Sequence, residues 1–471
     1  MVFSSTIFIF FFLPLVVLTY YLCPRKARNL LLLVASYLFY AWGEPRVVAI
    51  LFIGSLLDYI IGQKINQSSR GSSKAKWLLS LAIALNLGAL IYFKYANFFI
   101  SETQPLLGSL PFFPQEWQHI ALPIGISFFT FQKLSYLIDI YRSTVAPAKS
   151  FINYSLYVAF FPQLIAGPIV RYHDINLQIE SRNQSFTNVS DGFSRFAIGL
   201  SKKVLLANTM AEIADSLLAQ PIATLPGHYL WVAIFAYTLQ IYFDFSGYSD
   251  MAIGLARMFG FTLLENFDRP YTSRTITEFW RRWHISLSNW MREYIYLPLG
   301  GNRTSSGRTY INLWIVFLVS GFWHGASWNF IIWGAMHGTL LTLERKVGRP
   351  TLQALPRWLM QPVTLLLVML TWVFFRLETL PDAFLCIQRM FNFSTFSDFN
   401  PNLLLAESLN TRALFWMTIA SLIAFTPLKA TISSSLPKFK WIAAPLIHLG
   451  FVLSLLSLAS SSHNPFIYFR F

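Results

Sequence analysis

Apolar segments long enough to cross or enter a lipid bilayer alternate with short polar segments along almost the whole chain. About 20 apolar residues of helix span the hydrocarbon core, and only helices or closed barrels satisfy their backbone hydrogen bonds there. The pattern therefore predicts an all-α polytopic membrane protein with about ten or eleven crossings, plus re-entrant and interfacial helices. The clearest apolar segments are 6–22, 30–42, 47–61, 77–92, 122–140, 229–261, 363–375, 414–425 and 441–458.

Basic residues collect in the polar segments between apolar runs and set the predicted orientation. The loops 24–28 and 64–76 are both rich in Lys and Arg, whereas 96–120 contains neither. Because basic loops stay on the cytoplasmic side, these two loops are predicted inside and the N-terminus outside. Two predicted crossings, 30–42 and 47–61, lie between the two loops, so both loops fall on the same side of the membrane.

Composition supports a membrane protein. The chain has 471 residues, of which 55% are hydrophobic and 12% are charged, whereas soluble domains carry roughly 25% charged residues. The net charge of +15 fits cytoplasmic loops better than nucleic-acid binding. The two cysteines, Cys23 and Cys386, are too few for a disulfide framework or a thiolate metal site. We predict one membrane domain, residues 1–471, with a catalytic core of about 121–345.

Two apolar segments are unusual. Segment 151–170 contains Pro162 and the pair 167–168, Gly-Pro, which predicts a broken, re-entrant helix. Segment 311–343 is about 50 Å of helix, too short for two full crossings, so it is a hairpin or one tilted helix with a break. His324 lies near its middle, between two nearby glycines. A histidine at this depth is costly and suggests function, although a structural histidine bridging two helices is the alternative.

A basic, aromatic run from 278 to 290 precedes that segment and contains His284 beside Arg281 and Arg282. Its large apolar residues are spaced three, four and three apart: Trp280, Trp283, Leu287 and Trp290. This spacing predicts one face of an amphipathic helix at the membrane interface. The arginines bind either donor phosphates or lipid headgroups.

Other polar residues are weaker candidates. Asp244 shares a predicted helical face with Gln240 and Tyr248, and at this depth it either pairs with an arginine or takes part in the chemistry. His337 would reach the cavity of His324 only if the helix breaks between them. The chain lacks the Gly-x-Ser-x-Gly, Walker A and His-Glu-x-x-His motifs, which argues against a serine hydrolase, an ATP-driven pump and a zinc hydrolase.

Segment 279–288, Phe-Trp-Arg-Arg-Trp-His-Ile-Ser-Leu-Ser, followed by 323–325, Trp-His-Gly, resembles the membrane-bound O-acyltransferase family. Segments 1–5, 123–128, 242–254 and 299–303 are similar to its bacterial alginate O-acetylation branch. The resemblance implies a ring of about ten or eleven tilted helices, with funnels from both faces. His324 matches the signature histidine, and His284 matches a second position that is Asn in many eukaryotic members. The candidate substrate-binding residues are Trp323, Asn289, Asp244, Arg281 and Arg282.

The resemblance also implies a reaction. Such proteins take acetyl from a cytoplasmic thioester, acetyl-CoA or another donor, and pass it across the bacterial inner membrane. A periplasmic esterase-like partner then acetylates an exported polysaccharide, alginate or a similar polymer. We expect His324 to be the general base and His284 to orient the donor or stabilise the oxyanion. We expect no bound cofactor, metal or nucleic acid. The alternative is a polysaccharide or lipid-linked-sugar transporter, or an export subunit without transferase chemistry.

Overall fold

The computed structural model describes residues 1–107, 109–110, 117–392, 409–426, 437–460 and 465. Within these ranges the chain is helical and contains no strand. It divides into two compact units, the first comprising Met1–Arg195 with Ala252–Leu264 and the second Phe196–Met251 with Glu265–Phe471. The single domain of 1–471, with its core at about 121–345, stays a prediction.

Nine α-helices begin in the described part of the first unit, and their lengths range from 4 residues in α7 to 35 in α4. They are α1 (Leu13–Leu22), α2 (Arg28–Ala41), α3 (Val48–Gln67), α4 (Ser73–Leu107), α5 (Ile126–Tyr141), α6 (Phe151–Ala159), α7 (Phe161–Leu164), α8 (Tyr172–Glu180) and α9 (Phe186–Ser201). The predicted interruption at Pro162 is confirmed, because α6 ends at Ala159 and Pro162 lies in the first turn of α7. Whether this segment re-enters the membrane stays a prediction.

Helix α3 of the first unit buries polar residues and exposes apolar ones. In α3, Ser55 and Asp58 are buried whereas Phe52 and Ile53 are exposed. Asp58 pairs with Lys133 of α5, with 3.0 Å between Oδ2 and Nζ. A water-soluble helix shows the opposite arrangement, so the outer face of α3 is built for lipid.

The second unit holds the helices that position the candidate site. They are α10 (Asn208–Leu218), α11 (Gly227–Met258), α12 (Ile276–Arg282), α13 (Ile285–Met291), α14 (Ser306–His324), α15 (Trp328–Val347), α16 (Arg349–Ala354), α17 (Arg357–Arg376), α18 (Leu380–Met390), α19 (Thr411–Phe425) and α20 (Pro437–Ser460). The division between the units falls within α9 and α11. The all-α prediction is confirmed.

Three described helices are long and apolar enough to cross a bilayer by themselves: α3, α4 and α17. Each contains one of the predicted spans, 47–61, 77–92 or 363–375, apart from Val47 at the edge of α3. Shorter apolar helices occur at Phe8–Leu22, Thr411–Phe425 and Ala444–Ser460. The total of ten or eleven crossings, and the ring with its two funnels, stay predictions.

Candidate active site

Segment 311–343 forms a helical hairpin, α14 and α15, and His324 is the last residue of α14. Gly321 of α14 and Gly334 of α15 lie against the opposite helix, and a Cβ on Gly321 would collide with the carbonyl oxygen of Phe330. The helices pack backbone against backbone because neither glycine has a side chain. The sequence left a hairpin and a broken tilted helix open, and the structure shows the hairpin.

His324 is buried among aromatic rings. The centroid of its imidazole lies 4.8 Å from that of Trp323, 5.0 Å from that of Trp333 and 5.1 Å from that of Phe375. Trp333 belongs to α15 and Phe375 to α17, so three helices enclose this histidine. Such an apolar enclosure is the costly environment expected of an intramembrane functional residue.

His284 lies at a sharp break in the basic, aromatic run. Helix α12 ends at Arg282 and α13 begins at Ile285, while His284 has φ 44° and ψ 54°. This left-handed conformation is uncommon outside glycine, and Asn, Asp and His adopt it most readily. The prediction of one continuous amphipathic helix was therefore wrong, because a single left-handed residue ends the helix.

The aromatic residues of this run are buried. Trp280 is 8% exposed, and Trp283 and Trp290 are each 4% exposed, so the predicted interfacial face is wrong as well. The indole N–H of Trp280 donates to Nδ1 of His337, 3.2 Å away. His337 belongs to α15 and contacts the same Trp333 ring as His324, with centroids 4.8 Å apart.

Helix α12 is fixed at its N-terminus by two side chains. The hydroxyl of Thr275 accepts the backbone N–H of Glu278 at 3.0 Å. The carboxylate of Glu344, on α15, accepts the N–H groups of Ile276 and Thr277, the latter at 2.9 Å, and the hydroxyl of Thr277 at 2.7 Å. A carboxylate at this position also complements the helix dipole. Glu344 thereby ties the run containing His284 to the hairpin.

Asn266 binds the turn at His284. Its Oδ1 lies 3.1 Å from Nδ1 of His284 and accepts the backbone N–H of Ser286 at 3.2 Å and its hydroxyl at 2.9 Å. The Nδ2 group of Asn266 donates to Oγ of Ser249 at 3.1 Å. The N–H of Ile285 donates to the carbonyl of Asn266 at 3.0 Å. His284 is fully buried, and its Nε2 has no hydrogen-bond partner among the described residues.

Trp323 brings the two candidate catalytic histidines together. Its ring centroid is 6.4 Å from that of His284 and 4.8 Å from that of His324. Both imidazoles therefore face one indole, although 40 positions separate them along the chain. Trp323 is itself 5% exposed. The structure thus groups three of the predicted site residues.

Arg281 and Arg282 lie elsewhere, in the lining of a cavity of about 1190 Å³. Arg282 also pairs with Glu278, with 2.8 Å between Nη2 and Oε1. The charged residues of this lining are Asp268, Arg274, Glu278, Arg281, Arg282, Glu344, Arg345 and Arg357. Five guanidinium groups against three carboxylates make the cavity suitable for an anion, because arginine binds phosphate and carboxylate through paired hydrogen bonds.

The last two predicted substrate-binding residues are Asp244 and Asn289. Asp244 forms a buried ion pair with Lys203, with 2.9 Å between Oδ1 and Nζ. The structural pairing that the sequence left open is therefore present, but the partner is a lysine rather than the expected arginine. Lys203 also donates to Oδ1 of Asn208 at 2.8 Å. Asn289 lies on α13 and is partly buried. Substrate binding by Asp244 and Asn289 stays a prediction.

Comparison with known proteins places this site in a family. Residues 126–375 match the model of the membrane-bound O-acyltransferase family. The chain belongs to this family. It is 42% identical to a probable alginate O-acetylase of Pseudomonas putida over the full length of both chains. It is 35% identical to a peptidoglycan O-acetyltransferase of Helicobacter pylori, over all of this chain and 98% of that one.

A more distant relative is a teichoic acid D-alanyltransferase of Streptococcus thermophilus, 29% identical over 62% of this chain and 70% of that one. The matched family region, 126–375, contains both His284 and His324. The resemblance drawn from the sequence is confirmed, and the protein is a membrane-bound O-acyltransferase. Its enzyme class is therefore acyl transfer to oxygen.

Three residues of the site were not among the predicted site residues. Asn266 follows Glu265 in a polar segment, where an asparagine normally indicates a turn. Glu344 lies beside Arg345 and Lys346 and looks like part of a charged helix end. His337 was considered, and the break at the hairpin does bring it to the Trp333 ring shared with His324. Only the fold reveals these contacts.

Proposed function

We propose that this membrane O-acyltransferase is an O-acetyltransferase of the bacterial inner membrane that serves an exported polysaccharide. It takes acetyl from a cytoplasmic thioester, acetyl-CoA or another donor, and passes it across the membrane. The names of the full-length relatives, an alginate O-acetylase and a peptidoglycan O-acetyltransferase, support acetyl as the group and an envelope polymer as the final acceptor. Alginate or a similar exopolysaccharide is the acceptor we favour, because the alginate relative is the more similar of the two.

The observation that carries this proposal is the position of His284 and His324 on one indole, that of Trp323. In the proposed reaction, His324 removes the proton of an attacking hydroxyl as its oxygen bonds to the thioester carbonyl carbon. The carbon–sulfur bond then breaks, and the thiolate leaves and takes up a proton. His284 orients the donor or stabilises the oxyanion.

The donor side of the reaction is supported by the basic cavity. Arg281 and Arg282 line it, and both belong to the helix that precedes His284. A phosphate-bearing donor held there would have its anionic part beside α12. Thioester donors of the coenzyme A and carrier-protein types both carry such phosphate groups, and arginine pairs bind them well.

The acceptor side requires a second protein in this proposal. A periplasmic esterase-like partner supplies the hydroxyl that takes the acetyl group and then acetylates the polymer. Transfer of acetyl across the membrane by this chain and acetylation of the polymer by the partner are then separate steps, which suits a polymer that lies outside the membrane. The partner and the direction of transfer are part of the proposal.

The decisive experiment is acetyl transfer by His324→Ala in cells and with purified protein. We expect the transfer rate to fall at least about 100-fold, as is typical when a general base is removed. His448→Ala is the matched control, because His448 is exposed and its Nδ1 lies 2.7 Å from a carbonyl oxygen of its own helix, that of Ala444. Near-normal transfer by a folded His324→Ala protein would contradict the assignment.

The same variant tests the alternative function. If the chain is a polysaccharide or lipid-linked-sugar transporter, His324→Ala should stop secretion of the polymer. If it is an acetyltransferase, the polymer is still secreted but lacks acetyl groups. Hydrolysis of an acetyl thioester by the purified wild-type protein would exclude a purely structural export subunit.

A further inference from the structure

The orientation of the Asn266 amide is determined by a backbone group. The N–H of Ser286 points to one terminal atom of this amide at 3.2 Å. A backbone N–H only donates, so the atom that it faces must be the oxygen, Oδ1. The other terminal atom, Nδ2, then faces Oγ of Ser249 at 3.1 Å, where a hydroxyl oxygen accepts it. In the flipped amide, the N–H of Ser286 would face the amide NH2 group and lose its acceptor.

This orientation fixes the proton of His284. Because Oδ1 of Asn266 only accepts, Nδ1 of His284, 3.1 Å away, must carry the hydrogen. In the neutral imidazole the other nitrogen, Nε2, then has a free lone pair. The hydroxyl of Ser286 also donates to Oδ1, so this one oxygen is surrounded by donors.

The free lone pair is enclosed within the protein. Nε2 of His284 is buried and has no hydrogen-bond partner among the described residues, and the side chain as a whole is fully buried. Buried polar atoms in folded proteins almost always have a partner, so an unsatisfied one requires a reason. A substrate group that arrives during the reaction supplies that reason.

We propose that Asn266 is a positioning residue for the acyl transfer, holding His284 in the Nδ1–H tautomer so that Nε2 accepts a hydrogen bond from an N–H or O–H of the substrate. The inference rests on the proposed function and decides between the two roles given there to His284. A nitrogen with a lone pair and no hydrogen cannot donate to an oxyanion. His284 therefore orients a substrate group.

The charge state of His284 supports this role. Burial lowers the pKa of His284 to about 3, and burial is the only cause. Titratable groups occur on every element packed near it, but none of them shifts this pKa. They are Asp244 with Lys203 and Asp250 with Lys202 at α11, Glu265, Asp268 and Arg269 before α12, Glu278 with Arg282 on α12, and His324 on α14. Burial therefore favours the neutral imidazole at neutral pH.

Asn266→Asp tests the proposal. A carboxylate still accepts all three hydrogen bonds that Oδ1 accepts, but it also stabilises a protonated imidazole. In the wild type, we expect that protonation of His284 does not lower the transfer rate down to about pH 5. In the variant, we expect the transfer rate to fall as the pH is lowered from about 8 to about 5, near the ordinary histidine pKa, which gives an acid limb in the pH profile. An acid limb that does not move would overturn the proposal.

A matched control separates this effect from the introduction of a buried charge. Asn312→Asp places the same carboxylate at another fully buried asparagine of the second unit, whose amide donates to the carbonyls of Leu299 and Gly301. We expect no new acid limb there. A limb of the same size in Asn312→Asp would contradict a specific role for Asn266.

A second measurement does not depend on activity. Nitrogen-15 resonances of labelled histidines in the full-length wild-type protein report each tautomer, and His284→Gln assigns the signal of His284. We expect Nδ1–H from pH 5 to 8 in the wild type, and an imidazolium at low pH in Asn266→Asp. An Nε2–H tautomer in the wild type would overturn the proposal. Absence of acetyl transfer by the wild type at every pH would instead contradict the proposed function.

Discussion

Single polar residues are the candidates for the chemistry of this protein, and some of them can be recognised in the sequence. His324 stands out because an imidazole within an apolar segment is expensive, and His284 because it lies in the basic, aromatic run that resembles the family. Asn266 does not stand out, since its role depends on three hydrogen bonds to residues up to 20 positions away. A histidine can thus be predicted from its surroundings in sequence, whereas its partner requires the fold.

His173 offers a pH-dependent test at the same scale. It lies on α8, outside the spans, with Nδ1 2.9 Å from Oδ2 of Asp139. The hydrogen bond to Asp139 is the largest cause that raises the pKa of His173, aided by Asp174 and opposed by burial and Arg171. The protonated form is therefore favoured in the folded protein.

Because the folded pKa is raised, the stabilisation from His173 is complete below the unfolded pKa of about 6.5 and is lost as pH rises through the folded pKa. We expect His173→Gln to lower the melting temperature more at pH 6 than at pH 8.5. Thermal unfolding in detergent at both pH values measures this. In an Asp139→Asn background, the pH-dependent part of the difference should shrink to what Asp174 supplies; an undiminished difference would mean that Asp139 is not the main cause.

Whole helices follow the apolar runs, and they depart from them where a specific contact intervenes. The spans 47–61, 77–92 and 363–375 were predictable because length and hydropathy alone define them. The break between α12 and α13 was not predictable, because the tryptophan spacing fits a continuous helix. The hydrogen bonds that Asn266 accepts from the turn favour the break over that local preference.

The hairpin of α14 and α15 provides a test at this scale. Gly321→Ala would drive a methyl group into the carbonyl oxygen of Phe330, and this backbone atom cannot move aside cheaply. Overpacking of this kind costs about 1–3 kcal/mol or more. Since His324 ends the same helix, we expect a lower melting temperature and a large loss of transfer activity.

Gly338→Ala in α15 is the matched control. Its Cβ would lie 3.5 Å from the ring of Trp314, an ordinary contact, and alanine favours a helix over glycine by up to about 1 kcal/mol. We expect an unchanged or higher melting temperature and normal activity. Equal damage from both substitutions would show that the hairpin does not depend on close approach at Gly321.

At the scale of the whole molecule, composition and loop charge already indicate a polytopic membrane protein, and the family match agrees. The exposed apolar side chains of α3 show the same property in the structure, since Ser55 and Asp58 of this helix are buried instead. The number of crossings is harder to predict, since only three described helices are long and apolar enough by themselves. Short, broken helices such as α6 and α7 make the number of crossings difficult to determine from the sequence.

The predicted orientation can be measured by cysteine labelling. Ser69 lies in the basic loop before α4, and Ser101 lies near the far end of that 35-residue helix; both are exposed. In a background without Cys23 and Cys386, we expect Ser69→Cys to react with an impermeant maleimide only in inverted membrane vesicles. Ser101→Cys should react only in intact spheroplasts. The reverse pattern would place the N-terminus inside.

The left-handed backbone at His284 also limits how this position can evolve. Its φ of 44° suits few side chains besides glycine, and those few include His and Asn. Histidine is thus one member of a very small set of residues that this turn accepts. Selection at this site can exchange one hydrogen-bonding group for another while the main chain stays where it is. A saturation library at this codon should therefore return mostly His, Asn, Asp and Gly among well-folded proteins.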